Sequence, residues 1–149
     1  MAITAEQEKT SAPKIGGGER LTRKDLRETV ENHGIWLDSI GEAGIRADFS
    51  GKNLEYADLV DTRLPEAFLH KTNLKEADLT LTDLRGATLV QANLAEATLL
   101  ATQLQQSNLQ AADMHGATGL LSPQLAGTNL FGAVLPESIS PFELSLIHI

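Results

Sequence analysis

Between Ala47 and Gly116 a large apolar residue returns every five positions without a gap, at Phe49, Leu54, Leu59, Leu64, Leu69, Leu74, Leu79, Leu84, Leu89, Leu94, Leu99, Leu104, Leu109 and Met114. Two positions before each stands a small residue (Ala, Thr or Ser), with Lys52 as the one exception. A period of five matches neither the roughly 3.6 of a helix nor the 2 of a strand, so the segment is an internal repeat. A unit with one large and one small inward residue cannot bury its own apolar face and needs neighbours stacked on it. The pattern therefore predicts an all-β solenoid.

Runs such as Ala57-Asp58-Leu59, Ala77-Asp78-Leu79 and Ala92-Asn93-Leu94 carry the resemblance to a known family. The segment resembles the pentapeptide-repeat proteins, whose unit is a small residue, Asp or Asn, Leu, and two variable positions. The resemblance implies a right-handed quadrilateral (four-sided) β-helix, four pentapeptides to a coil, with the Leu and Ala ranks inside. Residues twenty apart then stack on one face, and they are alike: Thr62, Thr82 and Thr102; Ala57, Ala77 and Ala97; Asn53, Asn73 and Asn93. The Asn column is expected to form a side-chain ladder.

After Gly116 the register slips by one before Leu125, Leu130 and Leu135, so 117–123, with its Gly and Ser-Pro, reads as a loop or bulge. Roughly four coils at an interstrand spacing of about 4.8 Å make a rod about 20 Å long.

Four segments follow: a disordered N-terminal arm over 1–20, a helical cap over 21–45, the repeat over 46–137 and a C-terminal tail over 138–149. In the cap, Thr22 reads as the helix N-cap, with Asp25 in the first turn and Leu26, Val30, His33, Leu37 and Ile40 along one face. Gly34 is a candidate kink, and Trp36 is expected over the first coil. Solenoid ends expose unpaired backbone, which is what such a cap covers. The stretch from Leu26 to Ala47 also resembles the helical leader of some bacterial family members.

The 149-residue chain has no cysteine, which excludes a disulfide framework, thiolate metal sites and thiol nucleophiles. The polar N-terminus lacks a signal-peptide core, and the expected compartment is the cytoplasm. Gly16-Gly17-Gly18 lacks the Lys-Ser/Thr pair of a phosphate loop. His33, His70, His115 and His148 show no metal-binding spacing, and Asp58 and Asp78 follow the repeat motif rather than a catalytic one. No cofactor, metal or catalytic residue is expected, and the chain reads as a non-enzyme.

Charge and surface separate two function classes. The net charge is −8, which repels nucleic acid and makes direct binding to it an unfavourable reading, and the family includes DNA-mimicking inhibitors or protectors of the type II topoisomerase gyrase. Within 47–116, however, ten carboxylates face five bases, and beyond Ala87 only Glu96 and Asp113 are acidic. A duplex carries about one charge per 1.7 Å, so a 20 Å rod needs on the order of twelve phosphate-like groups. Stacked opposite charges, such as Glu55 beneath Lys75, dilute the field further. Outward apolar residues instead favour a scaffold that binds a protein partner or itself, with Tyr56, Val60, Phe68, Leu81, Val90, Leu100 and Phe131 as the candidate surface.

The terminal Leu144-Ser145-Leu146-Ile147-His148-Ile149 reads as a translated sequencing-adapter remnant on a truncated frame, with a closing β-strand as the alternative. The Leu135-Pro136-Glu137 exit resembles members that continue into membrane-spanning segments, so the parent is expected to be a membrane-tethered protein with this chain as its cytosolic part.

Overall fold

The computed structural model describes residues 19–147. Helix α1 covers Arg23–Asp38, a 3₁₀ turn covers Ser122–Leu125, and helix α2 covers Pro141–Ile147. Between α1 and the 3₁₀ turn the chain repeats one five-residue conformation. In the unit 57–61, Asp58 makes a parallel bridge, Leu59 points inward, and Val60 and Asp61 form a turn. The next amide, Thr62 N–H, closes that turn on the Leu59 carbonyl at 3.1 Å. The last turn residue has positive φ, as at Asp61 (55°), Leu81 (61°) and Ala101 (54°), which makes the turn type II.

Bridges join Asn53 to Asn73, Asp58 to Asp78, Arg63 to Asp83 and Phe68 to Thr88, each over twenty residues, and the pattern continues to Thr98 with Thr118. Four units therefore complete a tier: 47–66, 67–86 and 87–106 lie one on another. The bridges are isolated. No extended strand occurs among the described residues, because each unit supplies one bridge residue and then turns. The expected all-β class is corrected to this extent, and helices flank the repeat.

The inward ranks fill the interior. Phe49, the Leu centres from Leu59 to Leu109 and Met114 are at most 1% exposed, as are Ala67, Ala77, Ala87 and Ala97. Each buried Leu contributes about 2 kcal/mol of apolar burial. Inward threonines also link the tiers: Thr72 Oγ1 donates to Phe49 O at 2.8 Å, Thr82 to Leu59 O at 2.7 Å, and Thr102 to Leu79 O at 2.7 Å. Thr62, with no repeat tier above it, is only partly buried.

The asparagine column departs from a ladder. One rung forms, Asn73 Nδ2 to Asn53 Oδ1 at 3.3 Å. Otherwise the side chains of Asn53, Asn73 and Asn93 accept the amide two residues on, at Glu55, Lys75 and Ala95. A short amide side chain satisfies its own turn more readily than it reaches the next tier.

The register slip lies between Thr118 and Asn129, since Thr98 pairs with Thr118 twenty residues on but Asn108 pairs with Asn129 twenty-one on. The 3₁₀ turn absorbs the extra residue. Gln124 Nε2 donates to Leu99 O and Thr102 O, both at 2.8 Å, and its Oε1 accepts Leu121 N–H.

At the N-terminal end, Thr22 Oγ1 accepts Asp25 N–H at 3.0 Å, and α1 runs unbroken through Gly34. Ile40 leaves the expected apolar face; it lies beyond the helix at φ 57° and is 93% exposed. Glu19 and Arg20 are not part of a free arm: Asn53 N–H donates to Glu19 O at 3.0 Å, and Arg20 bridges Asn53. The rest of the expected arm, 1–18, lies outside the described residues, including the three consecutive glycines.

At the other end, Ser140 and Glu143 cap α2 reciprocally. Glu143 N–H donates to Ser140 Oγ at 3.2 Å, and Ser140 N–H donates to Glu143 Oε2 at 3.1 Å. With Pro141 at the first helical position, Ser-Pro-Phe-Glu starts a helix, which corrects the closing-strand reading for 144–147. His148 and Ile149 are outside the described residues. No helix among the described residues is long and apolar enough to cross a membrane.

Candidate interaction surface

Six of the seven candidate surface residues separate onto two sides of the stack, and Tyr56 lies between them. Val60 and Leu100 occupy one column with Thr80 between them, 42% and 55% exposed. Leu81, 51% exposed, stands at the corner of the same face, its N–H donating to Leu100 O at 3.0 Å. Asp61, Leu81 and Ala101 therefore flank the column of Val60, Thr80 and Leu100, whose interior rank is Leu59, Leu79 and Leu99.

Phe68, Val90 and Phe131 lie two units away in the four-unit turn. Val90 is half-buried. Ala111 N–H donates to Phe131 O at 2.8 Å, which puts Phe131 on the Val90 column after the slip. Tyr56 stands at a corner between the two sides, at φ 62°. Phe68 is covered in part: the Arg46 guanidinium lies 4.0 Å above its ring, and 5.3 Å from the Trp36 ring.

Trp36 in turn stacks on His33 with centroids 5.4 Å apart. His33 is fully buried and spans two units of the first tier: Nδ1 accepts Ala47 N–H and Nε2 donates to Pro65 O, both at 2.9 Å. Accepting an amide requires an unprotonated Nδ1, so the ring is the neutral Nε2–H tautomer. Burial holds its pKa below the ordinary imidazole value, against the opposing pull of the Pro65 carbonyl. Arg46 Nε donates to Glu66 O at 2.7 Å, and Arg63 pairs with Asp38 of α1 at 2.8 Å. These contacts seat the cap.

Reading the repeat alone missed Ile35, Ile45 and Leu121, which are exposed on the cap and at the slip. The helical pattern already carried a signal for Ile35, which falls off the Leu26–Val30–His33–Leu37 face.

Among the described residues no three His, Asp or Glu side chains converge to hold a metal ion. The carboxylates of Asp58 and Asp78 are committed to their own turns, accepting Val60 N–H and Thr80 N–H. Asp83 holds a bidentate pair with Arg85, at 2.9 and 2.7 Å. Burial raises the Asp83 pKa, but the Arg85 hydrogen bonds outweigh it and the net shift is downward. Lys75 lies 3.9 Å from Glu76, and among the described ion pairs none joins it to Glu55.

A groove of about 800 Å³ runs between α1 and the top of the first tier, with Leu26, Arg27 and Val30 on one wall and Ala57, Asp58 and Thr62 on the other.

Stacked five-residue units with a Leu rank inside and a capped edge define a repeat protein. The chain belongs to the pentapeptide-repeat family: the family model, pentapeptide repeats, matches residues 45–80 and 77–118 in eight copies. Members form right-handed quadrilateral β-helices and are generally structural or interaction proteins rather than enzymes.

Among solved structures, a pentapeptide repeat protein from the Arabidopsis thaliana thylakoid lumen is 26% identical, over 60% of this chain and 61% of its own, with a TM-score of 0.37. A pentapeptide repeat protein from Nostoc Pcc 7120 is 23% identical, over 76% of this chain and 88% of its own, at 0.43. QnrB1, a plasmid-mediated fluoroquinolone resistance protein, is 14% identical, over 64% and 61%, at 0.33. The chain thus spans about three fifths of the Arabidopsis and QnrB1 structures. No curated protein matches it.

Proposed function

We propose that this chain is a non-catalytic protein-interaction module, its repeat wound as a right-handed quadrilateral β-helix of about four coils closed at the N-terminal end by α1. The observation that carries the reading is the exposed apolar column of Val60 and Leu100, flanked by Leu81 on a face whose backbone is held rigid by twenty-residue pairing. A pre-ordered face loses little conformational entropy on docking. The carboxylates support the non-enzymatic reading, since those of Asp58, Asp78 and Asp83 are already engaged in turns and an ion pair.

The test is the double substitution Val60→Lys with Leu100→Lys, read by multi-angle light scattering and by cross-linking to bound partners in cells. Loss of self-association or of a cross-linked partner supports the module; unchanged association and unchanged cross-links would sink it.

Action on gyrase is the second reading, and it rests on the family. Its acidic groups are partly neutralised, Asp83 by Arg85 and Asp38 by Arg63, which weakens a phosphate-like row. A supercoiling assay with stoichiometric protein separates the two, since the interaction module leaves gyrase activity unchanged.

A further inference from the structure

Each tier accepts the one above it through three backbone groups per face. On the face of the apolar column, Thr98 N–H donates to Ala77 O at 3.0 Å, Leu79 N–H donates to Thr98 O at 2.9 Å, and Leu81 N–H donates to Leu100 O at 3.0 Å. The corresponding groups of the first tier are Asp58 N–H, Asp58 C=O and Val60 C=O. Among the described residues no backbone group pairs with these three; Val60 O meets only Thr62 Oγ1, at 3.4 Å. The groove beneath α1 opens along this edge, with Ala57, Asp58 and Leu59 on its floor and Leu26 and Val30 opposite.

The adjacent face shows that a segment outside the repeat can occupy such an edge. Glu19 O accepts Asn53 N–H at 3.0 Å, Leu21 N–H donates to Asn53 O at 3.4 Å, and Arg20 Nη2 takes Glu55 O at 3.2 Å. All three positions are filled there, and the pairing stops where α1 begins at Arg23. The open edge at Asp58 continues directly from it.

We propose that the Asp58–Val60 edge and its groove bind an extended peptide of a partner protein by parallel strand addition. The segment has the pattern small residue, Asp or Asn, Leu, its Leu entering the groove against Leu26, Val30 and Leu59. The pattern is the one the fold already seats on this face, since Ala77-Asp78-Leu79 makes these same bonds to the tier beneath it. Main-chain bonds supply affinity, and the Leu pocket supplies selection. The edge uses the main chain of Asp58 and Val60 and the column uses the side chains of Val60 and Leu100, so Leu100→Lys alone tests the column without touching the edge.

The probe is a blocked, fluorescein-labelled peptide copying residues 75–83, titrated into the full chain and followed by anisotropy and by amide NMR. Saturable binding is expected, with the Asp58 amide shifted and protected from exchange. N-methylation of the peptide Leu that donates to Asp58 O is expected to weaken binding about tenfold, the loss of one backbone hydrogen bond. Equal binding by the N-methylated peptide, shifts confined to the 128–137 end, or no saturation would overturn the proposal. A dimer of the protein alone in which the Asp58 amide is already protected, and which the peptide disperses, would assign the edge to a second copy and overturn it as well.

Discussion

His33 and Ala47 are joined by a hydrogen bond in which the imidazole Nδ1 accepts the backbone amide at 2.9 Å, so that a buried side chain of α1 completes the first unit of the repeat. The same ring donates to Pro65 O across the tier. Protonation would place an N–H against the Ala47 N–H and end the contact.

The native state therefore holds His33 neutral, with its pKa lowered by burial. The unfolded chain binds a proton there near the ordinary value of about 6.5. Stability is present in full above that value and falls as pH drops through it toward the lowered native pKa, because the unfolded state takes up the proton first. Melting curves from pH 7.5 to 5, followed by fluorescence of the single tryptophan, Trp36, are expected to show this loss. His33→Gln is expected to flatten it, and an unchanged slope in that variant would contradict the assignment.

Thr82 donates to the carbonyl of Leu59 in the tier above, at 2.7 Å. Thr82→Val keeps the shape and removes the hydroxyl, and is expected to cost about 1 kcal/mol in urea unfolding. Thr62→Val in the open tier is expected to cost less than about 0.5 kcal/mol. Equal costs at the two sites would show that the inter-tier bond contributes nothing.

Leu79 is completely buried in the middle of the stack. Leu79→Ala is expected to destabilise the chain by about 3 kcal/mol, the loss of the buried methyl groups together with the cavity left behind. A cost below about 1 kcal/mol in chemical unfolding would mean that the core collapses around the missing side chain.

Gly119 and Ala101 have similar left-handed backbones, at φ 80° and 54°, with opposite consequences. A Cβ on Gly119 would lie 2.8 Å from Leu100 N and 2.9 Å from Leu100 Cα, both backbone atoms that cannot yield cheaply. Gly119→Ala is expected to cost about 2 kcal/mol or more. Ala101→Gly removes left-handed strain and is expected to gain roughly 0.5 kcal/mol after the entropic cost of glycine. Calorimetric melting temperatures moving in opposite directions would verify the pair.

The repeat itself was legible because every unit is nearly the same local problem. A large residue every fifth position and a small one two before it can both be buried only by stacking, and stacking in fours puts Thr62, Thr82 and Thr102 in one column. The same regularity exposed the register slip at 117–123. The helix at Pro141–Ile147 has a local signal in Ser140 and Glu143, but the apolar ending of the chain reads first as an adapter remnant, with a closing strand as the alternative.

Tertiary structure alone decided the surface and the ends. Exposure depends on what crosses over a residue from far away in the chain: Arg46 covers Phe68, the slip carries Phe131 onto the column of Val90, and Val60, Leu81 and Leu100 are left exposed on one face. The role of His33 depends on two backbone groups, at Ala47 and Pro65, that helical periodicity cannot place. Local spacing determines which side chains face inward, because inward and outward alternate within one unit. Which outward residues meet, and which edge is left open, follows only from how the cap and the slip dispose the chain around the completed stack.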